Sequence, residues 1–367
     1  MQLRASYFKK VFEFNFKART SRGLLEDKVS WFIKLWDERN PSSFGIGECG
    51  PLPGLSLDAT NDFDGALDRV VADINSVKSA KAPEHSNPLI IANHFKKIVS
   101  SDFPAIRFGV ETALLDLQHG GKRIIFHNDF LSGKPIPING LIWMGKSNEM
   151  VEQVHKKIAQ GFRCIKLKIG GLDFDEECEV LREIRGQYPS SDVTIRLDAN
   201  GAFRPEEALS KLQLFSKFDI HSIEQPIKEG QVEMRTLCKK SPIPIALDEE
   251  LIRHQLIDSK RSLLKDLRPP YIILKPTLHG GISGCEEWID LATSMGIGWW
   301  ITSALESNVG LNAICQYTAC HAISLPQGLG TGAIYQNNID SPLSVSDGHI
   351  FHDNSKPWNL DPLFPEI

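Results

Sequence analysis

The sequence predicts an α/β protein: a (β/α)8-type barrel with an α+β capping domain built from the N-terminal part and the C-terminal tail. Three observations carry that expectation. From Pro135 onward strand-like and helix-like stretches alternate, the pattern of a parallel sheet with crossover helices. Five of the apolar runs end in a charged residue: Lys168, Asp198, Glu224, Asp248 and Lys275. Position differences give steps of 30, 26, 24 and 27 residues, each fitting one strand–loop–helix–loop unit. Finally, the 367 residues exceed one barrel of about 250 residues by enough for a second module.

Taken in order, residues 5–16 and 29–36 read as strands, separated by the polar loop Thr20-Ser21-Arg22-Gly23. The glycine- and proline-punctuated stretch 44–54 follows as a third strand with its turn. Helical stretches are expected around 58–78, 90–99 and 106–120. In the last, Ile106, Val110, Ala113, Leu114 and Leu117 recur at helical spacing. Barrel strands are expected at 136–143, 163–169, 193–198, 220–224, 243–248, 271–275, 297–302 and 322–326. Helices are expected between them at 147–160, 174–187, 205–217, 230–240, roughly 250–265, 282–295 and 308–321. Residues 331–367 are rich in Pro, Asn and Asp and hold little periodicity. The expected division is a cap at 1–130, a barrel at 131–330, and a C-terminal segment at 331–367 returning to the cap.

The composition is 41% hydrophobic and 24% charged, with a net charge of -5. Nucleic acids and anionic membranes favour basic patches, and the one basic tract, from Lys9 to Arg22, is short and broken by aromatics. The N-terminus alternates and lacks the continuous apolar core of a signal peptide. No stretch approaches the ~20 apolar residues that span a bilayer. Seven cysteines without a Cys-x-x-Cys pair indicate neither a disulfide framework nor a zinc site. A cytoplasmic protein is expected.

Barrel strand ends converge at one mouth, where active sites lie. Three carboxylates meeting there without His or Cys suit a hard divalent cation such as Mg²⁺. Each acid alone reads more simply as a surface residue; three at consecutive strand ends do not. Glu249 and Glu250 stand beside Asp248 as rival third ligands, and Asp248 is preferred as the first polar residue after the apolar run. Lys166 and Lys168 share one strand face. Desolvation and a neighbouring cation lower a lysine pKa, which would let one of them serve as a neutral base. Lys275 enters from roughly the opposite side. Ser303 lies in the stretch 302–307, which leads into a helix; its hydroxyls and N–H groups suit a carboxylate, as well as plain capping by Ser307 or Asn308. Gly330, in the glycine-rich loop 328–332, offers a further anion cradle. The expected partner is a small-molecule carboxylate, with no nucleic acid and no membrane, bound by a monomer or a homo-oligomer.

These residues resemble the enolase superfamily, specifically its muconate-lactonizing-enzyme-like branch. That branch pairs Lys-x-Lys on the second strand with acids on strands three to five and a lysine on the sixth. The resemblance covers nearly the whole chain. The stretches 137–144, 302–308 and 328–332 are most similar to the dehydratases that form 2-succinylbenzoate in menaquinone biosynthesis. The resemblance implies a Mg²⁺-dependent lyase that abstracts the proton α to a carboxylate and removes water in a syn sense. It implies Lys168 as base and then acid, Lys166 on the carboxylate, and Lys275 as a cation on the other face. Asp198, Glu224 and Asp248 would hold the metal, with Asn200 and Glu249 one layer behind them. Ser303, Gly330 and the loop residues Ser21 and Arg22 would hold the succinyl arm. The alternative is an N-succinylamino acid racemase or dipeptide epimerase on the same scaffold. A non-catalytic metal-binding barrel has no need of the opposed lysines, and a Schiff-base aldolase no need of three metal-type acids.

Overall fold

The computed structural model describes residues 2–20, 23–76, 98–330 and 334–364, apart from the side chains of 17–20 and 23–25. Most of the expected helix at 90–99 lies outside the described residues. Three antiparallel strands form the first sheet: β1 (Leu3–Thr20), β2 (Gly23–Asp37) and β3 (Asn40–Cys49). Each alternates apolar residues to two faces, and both faces are covered. Trp31, Ile33 and Leu35 pack with α1 (Phe63–Ser76) and α2 (Pro104–Gln118). Phe12, Phe14, Phe32 and Ile46 pack with Val309, Ile334 and Tyr335.

The glycines of β3 serve the contact with α2. A Cβ on Gly45 would lie 1.8 Å from the Ala113 carbonyl oxygen, and one on Gly47 1.8 Å from that of Gly109. Only bare backbone allows the strand so near the helix.

Seven strands build a curled parallel sheet in chain order: β5 (Gly140–Ile142), β6 (Cys164–Lys168), β7 (Thr194–Asp198), β8 (Ile220–Glu224), β9 (Ile245–Leu247), β10 (Tyr271–Leu274) and β11 (Gly298–Ile301). The helices between them are α3 (Ser147–Ala159), α4 (Phe174–Gln187), α5 (Pro205–Phe215), α6 (Met234–Lys240), α7 (Glu249–Ile252), α8 (Ile257–Leu267) and α9 (Gly281–Ser294); α10 (Asn308–Thr318) follows β11.

Two expectations need correction. No strand forms at 322–326. Pro326 has no N–H to give a ladder, and pairing starts at the next residue. Gln327 bridges Ile138, two residues before β5, and Gly328 bridges Thr302, the residue after β11, both in parallel sense. Arg196, 2% exposed, reaches across to donate to the Pro326 carbonyl at 2.8 Å while stacking 4.1 Å from the Trp300 ring centre. The expected first barrel strand, 136–143, is also divided. Its start, β4 (Ile136–Pro137), pairs antiparallel with a C-terminal hairpin of β12 (Leu343–Ser346) and β13 (His349–His352). Asp347 and Gly348 turn that hairpin with φ of 48° and 68°, the left-handed pair that such turns require.

The C-terminal segment lies on the first sheet: Gln336 N donates to Glu13 O at 2.9 Å, and Tyr335 stands 5.2 and 5.0 Å from Phe12 and Phe14. Two buried acids join the first sheet and its helix to helices of the second layer. Glu48 accepts from Ser307 N and Gly310 N, each at 3.0 Å, at the start of α10. Glu111 accepts from Ile282 N at 2.7 Å at the start of α9. A carboxylate at a helix N-terminus meets both unpaired N–H groups and the positive end of the dipole. Among the described residues no helix is long and apolar enough to cross a membrane.

Gly47→Ala should lower the unfolding free energy by about 1–3 kcal/mol or more, the range for overpacking, as read by urea denaturation. Gly186, in α4, has nothing within 4 Å of the place a methyl group would take and serves as the control. Gly186→Ala should leave stability unchanged or raise it by up to about 1 kcal/mol. Burial pushes the Glu111 carboxyl up from 4.5 to about 7. The folded state therefore holds that proton more tightly, so this contribution is fully present below pH 4.5 and lost as pH rises through about 7. Glu111→Gln should remove a pH-dependent loss on the order of 3 kcal/mol between those limits.

Candidate active site

Parallel pairing sets the site. Lys168, Asp198 and Glu224 are Cα partners in one row across β6, β7 and β8. Lys166 lies two residues back on the same strand face, opposite Arg196. Asp248 directly follows β9 and Lys275 directly follows β10. Asp198 and Asp248 are fully buried, Glu224 is 2% exposed and Lys166 9%.

Charges alternate through this group. Lys166 Nζ lies 2.9 Å from Asp198 Oδ2 and also pairs with Glu224 Oε2. Lys168 Nζ donates to Asp198 Oδ2 at 2.7 Å and to Asn200 Oδ1 at 2.6 Å. Lys275 Nζ pairs with Asp248 Oδ2 and stands 3.9 Å from Glu224 Oε1. Burial alone would discharge these groups, yet the pairing wins for most of them. The Lys166 ammonium is held well above its ordinary range because Asp198 and Glu224 outweigh desolvation. Lys275 is raised in the same way, by Asp248 and Glu224. Of the Lys166 and Lys168 pair, Lys166 is therefore not the one that desolvation turns into a neutral base: carboxylates at contact distance dominate there and at Lys275. Desolvation is likewise overcome at Asp198 by Lys166 and Lys168, and at Asp248 by Lys275, so both acids are lowered. Glu224 is raised, by burial first and then by the neighbouring Asp198 and Asp248 charges.

The surrounding residues fix these side chains. Asn200, at φ 45°, accepts from Lys168 and donates to Glu249 Oε1 at 3.0 Å. Gln225, at φ 39° and fully buried, accepts from Asp248 N and Glu250 N, each at 3.2 Å. Left-handed backbone is uncommon outside glycine; here it turns both amides back onto the acid-bearing loops. Glu250 is engaged by Gly230 N at 3.0 Å and by Gln225 Nε2, which leaves Asp248 as the acid in contact with Lys275. Lys275 N donates to His279 Nδ1 at 2.9 Å, and burial drives that imidazole down to about 3, so it is neutral.

A cavity of about 1310 Å³ opens over the group. Lys166, Lys168, Asp198, Asn200 and Lys275 line it, as do Ser303 and Gly330, and Phe16, Leu52 and Leu55 of the first module face it. Ser21 and Arg22 lie outside the described residues. Gln225 went unread in the sequence, where His279 reads as part of a glycine-rich loop and not as a base. A glutamine before a proline, and a histidine in a glycine-rich turn, carry no periodic signal.

The donors of Asp198, Glu224 and Asp248 are oxygen only, as a hard divalent cation requires. Two of those oxygens, Glu224 Oε1 and Asp248 Oδ1, are buried and accept no hydrogen bond, which leaves them capacity for a cation. On that observation the residues fit such an ion. Among the described residues, no three acidic, histidine or cysteine side chains stand as a preformed metal cage; Lys166 and Lys275 lie against the carboxylates.

Comparison with known proteins gives a consistent picture. The family described as Enolase C-terminal domain-like matches residues 149–355. An o-succinylbenzoate synthase of Desulfotalea psychrophila is 44% identical over 361 residues, covering 94% of this chain and 97% of that protein. The crystal structure of MenC from the same organism superposes with a TM-score of 0.86 at 42% identity, covering 96% of this chain and 100% of that one. The L-Ala-D/L-Glu epimerase of Bacillus subtilis shares the fold, with a TM-score of 0.82 at 18% identity over 98% of both chains.

Because Lys166 compensates two buried acids, Lys166→Met should cost about 3–5 kcal/mol of unfolding free energy. Urea denaturation in chelator-treated buffer would measure it. A loss under about 1 kcal/mol would mean that the acids take up protons instead.

Proposed function

The chain belongs to the enolase superfamily, and from that premise we propose that it dehydrates a succinyl-bearing hydroxycyclohexadiene carboxylate to 2-succinylbenzoate. It is then an o-succinylbenzoate synthase, a carbon–oxygen lyase of menaquinone biosynthesis. Identity of 44% along 94% of the chain supports this reading. The observation that carries it is the pair of lysines, Lys168 and Lys275, entering from β6 and β10 on either side of the acids of β7 to β9.

Each residue has a task. Asp198, Glu224 and Asp248 hold Mg²⁺, which when bound supplies Lewis-acid stabilisation of charge developing on the substrate carboxylate. Lys166 binds that carboxylate as a cation. Lys168 Nζ, as the neutral amine, takes the α-proton and becomes an ammonium; the electron pair left on carbon forms the new double bond as hydroxide departs. The same ammonium then protonates the hydroxide to water, since proton and hydroxyl leave from one face. Lys275 opposes the developing negative charge from the other face, a preorganised electrostatic contribution. Ser303 and Gly330 border the space for the succinyl arm.

The same reading assigns the architecture. Gln327 and Gly328 act as the eighth strand that closes the barrel. Residues 1–130 form the cap, 131–330 the barrel, and 331–367 return to the cap. A cytoplasmic location fits the chemistry.

The rival reading is racemisation of an N-succinylamino acid, in which Lys168 and Lys275 both exchange protons. Disappearance of the diene absorbance separates the two. Turnover should vanish in EDTA and return with Mg²⁺, and Lys168→Ala should lower kcat by about 10²–10⁴-fold. Arginine keeps its charge and cannot be deprotonated. Lys275→Arg should therefore retain measurable dehydration and lose all racemisation. Wild-type enzyme that racemises N-succinylamino acids in D₂O far faster than it aromatises the diene would replace the synthase assignment.

A further inference from the structure

The acids occupy β7 to β9 and the lysines β6 and β10. The cavity wall facing them runs from the end of β11 through Gly328 to the start of β5. For a substrate whose ring carboxylate lies against Lys166, this wall is one of the surfaces open to its other end.

Most polar groups there are already engaged. Thr302 Oγ1 and Ser303 Oγ donate to the Gly328 carbonyl at 2.8 and 3.2 Å. Asn139 differs. Its backbone N–H is committed to Gln327 O at 2.9 Å, but its side chain, on a residue only 5% exposed, buries an Oδ1 with no hydrogen-bond partner. Asn139 lines the cavity and shares its strand face with Leu141, the Cα partner of Lys166. A Cβ on Gly330 would lie 3.7 Å from the Asn139 carbonyl oxygen, so the two residues adjoin. Buried carboxamides are normally satisfied, and rotation about χ2 lets this one present either its oxygen or its two N–H donors.

Resting on the dehydratase reading, we propose that Asn139 is a specificity-determining residue whose carboxamide donates a hydrogen bond to the carboxylate ending the substrate's succinyl arm. An amide placed in a buried wall discriminates well, because a ligand lacking the matching group leaves it unpaired. Lys146 and Lys156, also on the cavity, are exposed ammoniums, and solvated charges of that kind add little selectivity.

Steady-state kinetics test this with two substrates: the succinyl-bearing diene, and an analogue whose arm ends in a methyl ketone. Asn139→Ala should raise KM for the first by about tenfold or more, the scale of a hydrogen bond to a charged group, with kcat within about twofold. Asn139→Asp, nearly the same shape but anionic, should raise it further. Neither should alter KM for the analogue. Unchanged KM in both variants at a wild-type melting temperature would overturn the proposal, as would a loss confined to kcat. Should the variants fail to fold, a wild-type crystal with 2-succinylbenzoate decides. Asn139 Nδ2 within about 3.2 Å of the arm carboxylate supports the proposal, and separation beyond about 4 Å rejects it. If wild-type enzyme fails to aromatise the diene but racemises N-succinylamino acids, the dehydratase reading falls. The same KM comparison then runs on those substrates, which carry the same arm.

Discussion

Everything at the site depends on strand register. The ladder that pairs Lys168 with Asp198 and Asp198 with Glu224 puts one lysine and two acids in a row. Side chains on a strand alternate faces, so a slip of one residue would turn a whole set from the interior to the helix layer. The row exists because three short strands, each five residues long, cannot slip without exposing their apolar neighbours. Burying so many charges is tolerable only when each finds a partner, and the same register supplies those partners. Backbone hydrogen bonds therefore determine the electrostatics.

Those electrostatics differ from a simple burial argument. Lysines removed from water should lose protons. Lys166 and Lys275 instead hold theirs, since each meets a carboxylate at contact distance. Such cations favour an anionic ligand that can share them. Asn200 and Gln225 keep the arrangement rigid at backbone angles that cost energy, a pattern that concentrates at functional sites.

The sequence made the charged strand ends legible because a polar residue closing an apolar, alternating run is a local signal. Lys168, Asp198 and Glu224 each do so, and each terminates its observed strand. Features assembled from distant or very short pieces left no such trace. Gln327 and Gly328 make one isolated bridge apiece, which is too little to show periodicity. Gly45 and Gly47 look like turn punctuation, and only the packed helix explains them. The hairpin around Asp347-Gly348 was readable in principle, from its turn dipeptide, but its flanking strands are just four residues long. The partners of Asn200 and Gln225 are set by where loops meet in space, and local pattern says nothing of that.

The contact between Glu48 and the start of α10 spans 259 positions in the chain. During synthesis the first sheet emerges early, yet the donors that satisfy Glu48 arrive only after most of the polypeptide has been made. At about 5–20 residues per second the interval is on the order of 10–50 s. Throughout it the aromatic face of Phe12, Phe14 and Phe32 lacks Val309, Ile334 and Tyr335 as cover. A nascent chain of this design exposes an adhesive surface at the ribosome for far longer than local folding takes. Its yield in a cell then depends on chaperones and translation speed as well as on the stability of the finished enzyme.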